Sequence, residues 1–373
     1  MPITKALETH IDHISILDEH GSFDEKLGKD LIPDEDLLKL YQHMVVCRKL
    51  DEIAFKLQRS GRMGTFPQNM GQEATSLGAA YMLDDTDWMV TCYRENCGLF
   101  WRGLPMEKIL QHWMGDERGN QIDREHYCTP IAVPIGTQML HATGLAWGAK
   151  YRGESQIACT FFGDGATSEG DFHEAMNFAA NLDIPVVFFC QNNQWAISVP
   201  TSIQCSAPTV AQRGMAYGVE CLQCDGNDIF AVAWCMKKAI DSARNHNRPV
   251  FIEAVTYRLG DHTTADDARR YRDDEEVALW QSRDPLKRMR AFLEGKGMWN
   301  DAQQVELDEH AEATVTAAVE RAESIETPSR DDIFNWTFAD IPEQIATQRD
   351  TMRTTSIGQD PSQIASEQAT TKA

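Results

Sequence analysis

The sequence predicts one large α/β domain, with a doubly wound, mostly parallel sheet that carries helices on both faces. The first observation is that three segments follow one another along the chain: an apolar run at 157–162, a helical pattern at 168–182 and a second apolar run at 186–190. A strand, a helix and a parallel strand form a right-handed crossover, which brings both strand ends to one edge of the sheet. The second observation is length, because 373 residues can bury a large core.

The chain is predicted to have three parts. Residues 1–33 are expected to form an extended arm that packs on a neighbouring subunit, and residues 34–325 the main domain. Residues 326–373 are expected to form an extension that is disordered from Thr354 onward, since its tail consists mainly of Ser, Thr, Gln and Ala. Two helical patterns are assigned a core face: the helix at 168–182 is expected to bury Phe178, and the amphipathic region at 284–323 to bury Val305.

Charge and composition limit the kinds of partner. The formal net charge of −22 argues against nucleic acid or an anionic membrane, because both require a basic face. No apolar run approaches the ~18 residues of a membrane span, and the start Met1-Pro2-Ile3-Thr4 does not resemble a secretory signal. We therefore expect a protein of the bacterial cytoplasm, or a mature organellar protein, whose ten cysteines are reduced and mostly buried.

Polar residues follow both apolar runs of the central unit. Gly163-Asp164-Gly165 follows the first run and Asn193 follows the second, so Asp164 and Asn193 are expected to face one crevice. The glycines let the backbone approach a bound group, and the next helix directs its N–H groups at an anion. Mg²⁺ prefers oxygen ligands and shares them with substrate phosphates. Asp164, Asn193 and the carbonyl of Trp195 therefore suggest a diphosphate held through Mg²⁺; the alternative is an ordinary strand-to-helix turn.

With this pair of motifs, the sequence resembles the alpha subunit of the thiamine diphosphate-dependent decarboxylating component of 2-oxo acid dehydrogenase complexes, of the pyruvate or branched-chain type. The resemblance extends from about residue 37 to residue 299. It implies the thiamine diphosphate-binding fold, with thiamine diphosphate and Mg²⁺ as cofactors. It also implies an alpha2beta2 assembly with a beta subunit, a 2-oxo acid substrate, and transfer of the acyl group to a lipoyl arm of the acyltransferase core.

The resemblance assigns roles to further residues. Tyr93 and Arg94 would contact the diphosphate, and an acidic protein needs such a cation at that site. Val133 would hold the aminopyrimidine through its backbone, and Ile135 would be the wedge that bends the cofactor. His262 would lie at the diphosphate and the reaction centre, as the catalytic residue. The full set of implied cofactor-binding residues is Tyr93, Arg94, Val133, Ile135, Gly163, Asp164, Gly165, Ala166, Asn193 and His262.

Residues 257–272 are predicted to form a mobile loop. The segment is dense in opposite charges and poor in apolar residues, so we expect that charge pairing and a bound cofactor, rather than burial, fix it. The resemblance implies that four of its residues form the ordering network: Arg258, Asp266, Tyr271 and Arg272. It also implies that Phe66 and Gln72, in a loop before a helix, line the substrate channel.

The sequence leaves several alternative roles open. Pro134, Thr137 and Gln138 match the potassium site of branched-chain relatives, but Thr137 is equally well explained as a helix cap. Cys221 and Cys224 form a lone CxxC on a predicted strand, which favours a structural role over a zinc or redox module. A non-enzymatic binding subunit is a further alternative.

Two positions depart from the family pattern. Gln191 stands where branched-chain relatives carry Arg, so one cation for the diphosphate is absent. Thr263 stands where mammalian relatives carry a phosphorylated serine, which argues against kinase control.

The tracts at 119–122 and 136–138 look more like bacterial pyruvate-type subunits. We therefore expect pyruvate as substrate, with branched-chain 2-oxo acids and acetoin as the alternatives.

Overall fold

A six-stranded parallel sheet forms the centre of the protein in the computed structural model, which describes residues 4–354. The strand order is β1-β7-β8-β4-β3-β2, and β5 pairs with β6 in a separate antiparallel ribbon. The strands are β1 (His13–Ile14), β2 (Trp88–Val90), β3 (Ala158–Gly163), β4 (Val186–Asn192), β5 (Trp195–Ala196), β6 (Val199–Pro200), β7 (Glu220–Asp225) and β8 (Val250–Val255).

Helices connect and follow the strands along the chain. They are α1 (Glu25–Gly28), α2 (Asp34–Arg59), α3 (Glu73–Met82), α4 (Asn96–Trp101), α5 (Met106–Trp113), α6 (Thr137–Arg152), α7 (Gly170–Asn181), α8 (Thr201–Gln204), α9 (Gln212–Met215), α10 (Ile229–His246), α11 (Asp274–Ser282), α12 (Pro285–Gly295), α13 (Asp301–Glu323), α14 (Asp332–Asn335) and α15 (Glu343–Thr354). Short 3-10 turns cover Glu117–Asn120, Arg124–His126, Asp164–Ser168 and Ala268–Arg270.

Both faces of the sheet are buried. Along β4, Val187 and Phe189 pack into a core with residues of α2, α3, α10 and α13, whereas Phe188 and Cys190 pack into a second core with residues of α6 and α7. Successive strand side chains point to opposite faces, and helices cover both, so β4 is apolar almost throughout. This confirms the predicted doubly wound α/β fold.

The two cysteines of the CxxC lie on opposite faces of β7, as predicted. Cys224 belongs to the core beside α10, and Cys221 packs against the core beside α7. All ten cysteines are free thiols. Within residues 4–354, no group of three or more His, Cys, Asp or Glu side chains is placed to hold a metal ion. This arrangement fits the structural role rather than a zinc module.

Two predictions of buried apolar side chains are wrong. Phe178 lies on the outer face of α7 and is 50% exposed. It follows the fully buried Phe172 by six residues, which is about 240° around a helix at ~100° per residue. Val305 likewise points outward from α13, which buries Leu307 and Val315 instead.

Residues 13–17 of the N-terminal arm pack on the arm's own chain. Its strand β1 pairs in parallel with β7 at the edge of the sheet, and Ile16 and Leu17 are buried. The backbone N–H groups of these two residues donate to Oδ2 of Asp228, at 2.6 and 2.7 Å. The other oxygen of Asp228 accepts from the N–H of Phe230 at 3.0 Å and caps α10. One buried carboxylate therefore joins the arm to a central helix.

The chain divides into two compact units, Met1–Glu323 and Ser324–Ala373. The second unit contains α14 and α15, and within it Arg353 donates to Asp331. Thr354 is the last residue of α15, and the rest of the tail predicted to be disordered lies outside the described residues. Among the described residues, none of the helices has the length and apolar character needed to cross a membrane.

Replacing Asp228 by Ala should destabilise the protein strongly. A lost N-cap costs about 1 kcal/mol and each of the two unpaired arm N–H groups about 1–3 kcal/mol, so we expect a loss of about 3–7 kcal/mol in the free energy of unfolding. Urea unfolding of the full-length protein measures this. Asp273→Ala is the matched control, because Asp273 caps α11 at the surface through one N–H. Equal losses in the two variants would contradict the proposed link between arm and helix.

Candidate active site

A cavity of about 480 Å³ lies at the carboxyl ends of β2, β3, β4 and β8. Strands β3 and β4 pair in parallel with Gly163 opposite Gln191, so the residues after both strands meet at this edge. The cavity brings together the residues to which the sequence assigned binding of the diphosphate cofactor or Mg²⁺: Tyr93, Arg94, Val133, Ile135, Gly163, Asp164, Gly165, Ala166, Asn193, Trp195 and His262. The three potassium candidates are not among its lining residues.

Asp164 is a buried carboxylate at the bottom of this crevice. Its Oδ2 accepts a hydrogen bond from the Thr201 hydroxyl at 2.7 Å, and its backbone carbonyl accepts from Nε2 of Gln204 at 3.0 Å. Burial raises the pKa of Asp164 above its usual value. A cation beside Asp164 would remove this penalty, because it favours the charged form of the carboxyl group.

Asn193 and Trp195 provide the other oxygens expected around a metal. The Asn193 side chain donates from Nδ2 to Gln72 at 3.0 Å, and its Oδ1 accepts from the Trp195 N–H at 3.3 Å. The Trp195 carbonyl accepts from Nη1 of Arg258 at 3.3 Å, and a carbonyl has a second lone pair. One carboxylate, one amide oxygen and one carbonyl suit Mg²⁺, which takes its remaining ligands from water and phosphate.

Close packing within the chain also requires a glycine after Asp164. A Cβ on Gly165 would lie 2.8 Å from the Cβ of Ala196 in β5, so a side chain would collide with the turn after β4. Gly163 has open space around it. Gly165 therefore brings the Asp164 turn against the turn that contains Trp195. Helix α7 begins only at Gly170, after a 3-10 turn at Asp164–Ser168.

Two arginines converge on the cavity although the protein is acidic. Arg94 donates from Nη1 to the Gln68 carbonyl at 2.7 Å, and Arg258 donates from Nη2 to the Ile197 carbonyl at 2.8 Å. Both side chains are buried. Burial and the nearby Arg94 lower the pKa of Arg258 to about 10. Since uncompensated buried cations are unfavourable, this end of the cavity would attract an anion.

The loop at 257–272 is held by the predicted network and also, against our expectation, by burial. The carboxylate of Asp266 accepts from the His262 N–H at 3.1 Å and from the Tyr271 hydroxyl, and Arg272 donates to the Arg258 carbonyl. Thr264 is fully buried, and its N–H donates to the Phe66 carbonyl at 2.9 Å. Small residues such as Thr264 and Ala268 pack inside a segment whose composition looked fully solvated.

Of the two residues expected in the substrate channel, only Gln72 lines the cavity. Phe66 is completely buried, and its ring packs edge-on against that of Trp113, with 6.2 Å between centroids. Trp113 forms part of the wall instead. Phe66 therefore supports the wall from behind, and the expectation for it was wrong.

The sequence reasoning missed Glu95, which is also buried in the cavity wall. Its carboxylate accepts from Nε2 of Gln191 at 2.5 Å and from the backbone N–H groups of Cys92 at 2.9 Å and Arg94 at 3.2 Å. Burial raises the pKa of Glu95 to about 7. Gln191 accepts in turn from the Thr75 hydroxyl at 2.5 Å. A carboxylate directly after the Tyr-Arg pair was the available signal.

The loop before α6 shows whether Thr137 caps this helix. Its N-cap position is Gly136, at φ 96°, and α6 begins at Thr137, so Thr137 is not the cap. Gln138 is buried and donates from Nε2 to the Phe161 carbonyl at 3.0 Å. Its Oε1 has no hydrogen-bond partner among the described residues.

Comparison with known proteins places the chain in a family. Residues 41–330 match the family described as dehydrogenase E1 component. The chain is 42% identical over 325 residues to the 3-methyl-2-oxobutanoate dehydrogenase subunit alpha of Mycobacterium tuberculosis, covering 86% of this chain and 88% of that protein. It is 38% identical over 345 residues to the pyruvate dehydrogenase E1 component subunit alpha of Staphylococcus aureus, covering 91% and 92%. The chain therefore belongs to the dehydrogenase E1 component family of oxidoreductases, together with alpha subunits of pyruvate and branched-chain 2-oxo acid dehydrogenases.

Proposed function

We propose that this chain binds thiamine diphosphate and Mg²⁺ and, with a beta subunit, decarboxylates a 2-oxo acid and transfers the acyl group to a lipoyl arm. The observation that carries the proposal is one cavity that holds the Asp164 carboxylate, the Asn193 amide and the Arg94 guanidinium. Oxygen ligands for a metal and a cation for phosphate oxygens are what a magnesium diphosphate requires. When bound, the cofactor supplies a carbon nucleophile and an electron sink for decarboxylation.

Each side chain then has a defined task. Asp164, Asn193 and the Trp195 carbonyl hold the metal, and Tyr93 and Arg94 hold the diphosphate, with Gly163, Gly165 and Ala166 forming the floor. The Val133 backbone would hold the aminopyrimidine, and Ile135 would pack against the cofactor. His262 lies among the residues that face the substrate. Tyr93, Val133, Ile135 and His262 all line the cavity, which supports this division of tasks.

The beta subunit would complete the site in an alpha2beta2 assembly. Val133, Ile135 and Ile197 line the cavity and are 52%, 42% and 59% exposed, so a partner that covers them would bury apolar surface. The partner would also supply the carboxylate that activates the pyrimidine. We place the assembly in the cytoplasm, bound to the lipoyl acyltransferase core.

For the substrate, we propose pyruvate first, because of the tracts at 119–122 and 136–138. A branched-chain 2-oxo acid is the second candidate, and the relative from M. tuberculosis, 42% identical, favours it. One methylene changes binding by only about 1–3 kcal/mol, so a few pocket side chains decide between these substrates.

A potassium ion near the start of α6 is a separate proposal. The unpaired Oε1 of the buried Gln138 supports it, because a buried oxygen without a donor is unfavourable and a cation would compensate it. Pro134 and Thr137 would contribute further oxygens.

Asp164→Ala should abolish magnesium-dependent cofactor binding, because it removes the only full negative charge among the three proposed metal ligands. We expect affinity for thiamine diphosphate with Mg²⁺ to fall by on the order of 100-fold or more. Titration calorimetry measures binding, and dye reduction with pyruvate, 3-methyl-2-oxobutanoate or acetoin measures activity, both on the protein co-purified with its beta subunit.

Glu174→Ala is the control for Asp164→Ala, because Glu174 is an exposed carboxylate on α7. It should bind cofactor as the unmodified protein does. Unchanged cofactor affinity in Asp164→Ala would refute the metal site. Cofactor binding without activity on any of the three substrates would leave the site standing and refute the substrate class.

Exchanging Glu95 and Gln191 tests how the Tyr93-Arg94 turn is held. In Glu95→Gln alone, the new amide N–H group would face the Nε2–H group of Gln191, and neither would have an acceptor. Cofactor binding should weaken about 10-fold, since an unpaired buried group costs about 1–3 kcal/mol. The double variant Glu95→Gln, Gln191→Glu restores a donor and an acceptor, and should recover most of that affinity. Calorimetry of the assembled enzyme measures both variants. No recovery in the double variant would show that the charge at position 95, rather than the hydrogen bond, matters.

A further inference from the structure

His262 receives two hydrogen bonds on one ring nitrogen. Nη2 of Arg94 and Nη1 of Arg258 each lie 3.1 Å from its Nδ1. A guanidinium group has five N–H donors and no acceptor, so both contacts require a lone pair on Nδ1. A proton on Nδ1 would face two further N–H groups. The geometry therefore determines the tautomer: Nδ1 is unprotonated and the ring proton is on Nε2.

Electrostatics favour the same state. Burial, Arg94 and Arg258 together lower the pKa of His262 to about 3, and the opposing effect of Asp266 is smaller. These three charged residues face the ring from the turn after β2, the segment after β8 and the loop itself. A second ring proton would be a third positive charge beside two guanidinium groups. The imidazole is therefore neutral throughout the range in which a histidine ordinarily titrates.

We propose that His262 acts as a fixed, neutral hydrogen-bond donor through Nε2–H, and that Arg94 and Arg258 are positioning residues that set this tautomer. The acceptor is the oxygen of the substrate's 2-oxo group, which gains negative charge when its carbon is attacked, so the proposal rests on the proposed function. The donor touches the oxygen that gains negative charge during reaction and stabilises it without transferring a proton. His262 is then neither a general base nor a general acid at neutral pH.

The backbone around His262 fixes where this donor is directed. The His262 N–H donates to Asp266, and the His262 carbonyl accepts from Nη2 of Arg94. Arg258 also donates to the Trp195 and Ile197 carbonyls, in the turn that carries a proposed metal ligand. The Nδ1 atom and the backbone of His262 are thus both held, and Arg258 joins them to the turn that carries Trp195. A donor to a reacting atom requires positioning of this kind.

Nitrogen NMR of the full-length chain, labelled at histidine, tests the tautomer without cofactor or activity. The His262 signals are assigned by their loss in His262→Asn. We expect an unprotonated Nδ1 and a protonated Nε2, unchanged between about pH 5 and 8. A protonated Nδ1, or a titration in this window, would overturn the proposal.

His126 provides an internal reference of the opposite kind. Its Nδ1 lies 3.0 Å from the Arg102 carbonyl, an acceptor, so His126 should carry its proton on Nδ1. His126→Asn assigns its signals. If His262 shows a protonated Nδ1, the pattern expected for His126, the assignment of the Nε2–H tautomer to His262 is wrong.

Arg258→Met tests the positioning role in the assembled enzyme. Loss of one cation and one donor should raise the pKa of His262, so its nitrogen signals begin to titrate and the pH profile of kcat/KM gains an acid limb. Arg272→Met is the control, because Arg272 holds the same loop through the Arg258 and Leu259 carbonyls without contacting the imidazole. An acid limb in both variants, or in neither, would refute the role of Arg258.

The proposed function and the donor role of His262 can be refuted separately. If the assembled enzyme binds no thiamine diphosphate, the proposed function is wrong, whereas the NMR result on the tautomer is unaffected. If the enzyme is active but His262 titrates near neutral pH, the proposed function stands and the donor role is wrong.

Discussion

Parallel pairing of β3 with β4 is the constraint on which the site depends. The pairing sets Gly163 opposite Gln191, so the chain leaves both strands at the same edge and Asp164 and Asn193 meet there. Slippage of one strand by one residue would turn its side chains to the opposite face, because side chains alternate between faces. Large apolar residues on both faces of β4 prevent that slippage, since each face packs into its own core. The geometry of the site is therefore a consequence of how the sheet is buried.

Buried charge is the second organising feature. A protein with a net charge of −22 places Arg94 and Arg258 together in one cavity and holds each by backbone carbonyls. Carbonyl acceptors stabilise a guanidinium without neutralising it, so the cavity stays attractive to an anion. The same two groups share the lone pair of His262. Anion attraction and the protonation state of the histidine thus have one physical origin.

Gln191, which stands where branched-chain relatives carry Arg, has a structural role in the cavity wall. An arginine at this position would have added a cation. Gln191 instead accepts a hydrogen bond from Thr75 and donates one to Glu95. The Glu95 carboxylate in turn accepts from backbone N–H groups of the turn that contains Tyr93 and Arg94. Gln191 therefore helps to fix the turn that carries Arg94, the residue that we propose to contact the diphosphate. Arg94 is correspondingly the cation on which diphosphate binding would depend.

The sequence by itself determined the strand–helix–strand unit, the polar residues at its two ends, and the separation of Cys221 and Cys224, because these follow from local periodicity and from the handedness of the crossover. Only the tertiary structure decided the others. Phe178 and Val305 are exposed because their angular positions on α7 and α13 turn them away from the cores. Phe66 packs behind the cavity, and Glu95 and Gln191 meet although 96 positions separate them. The tautomer of His262 needs two arginines from different strand ends, a coincidence in space that no local pattern encodes.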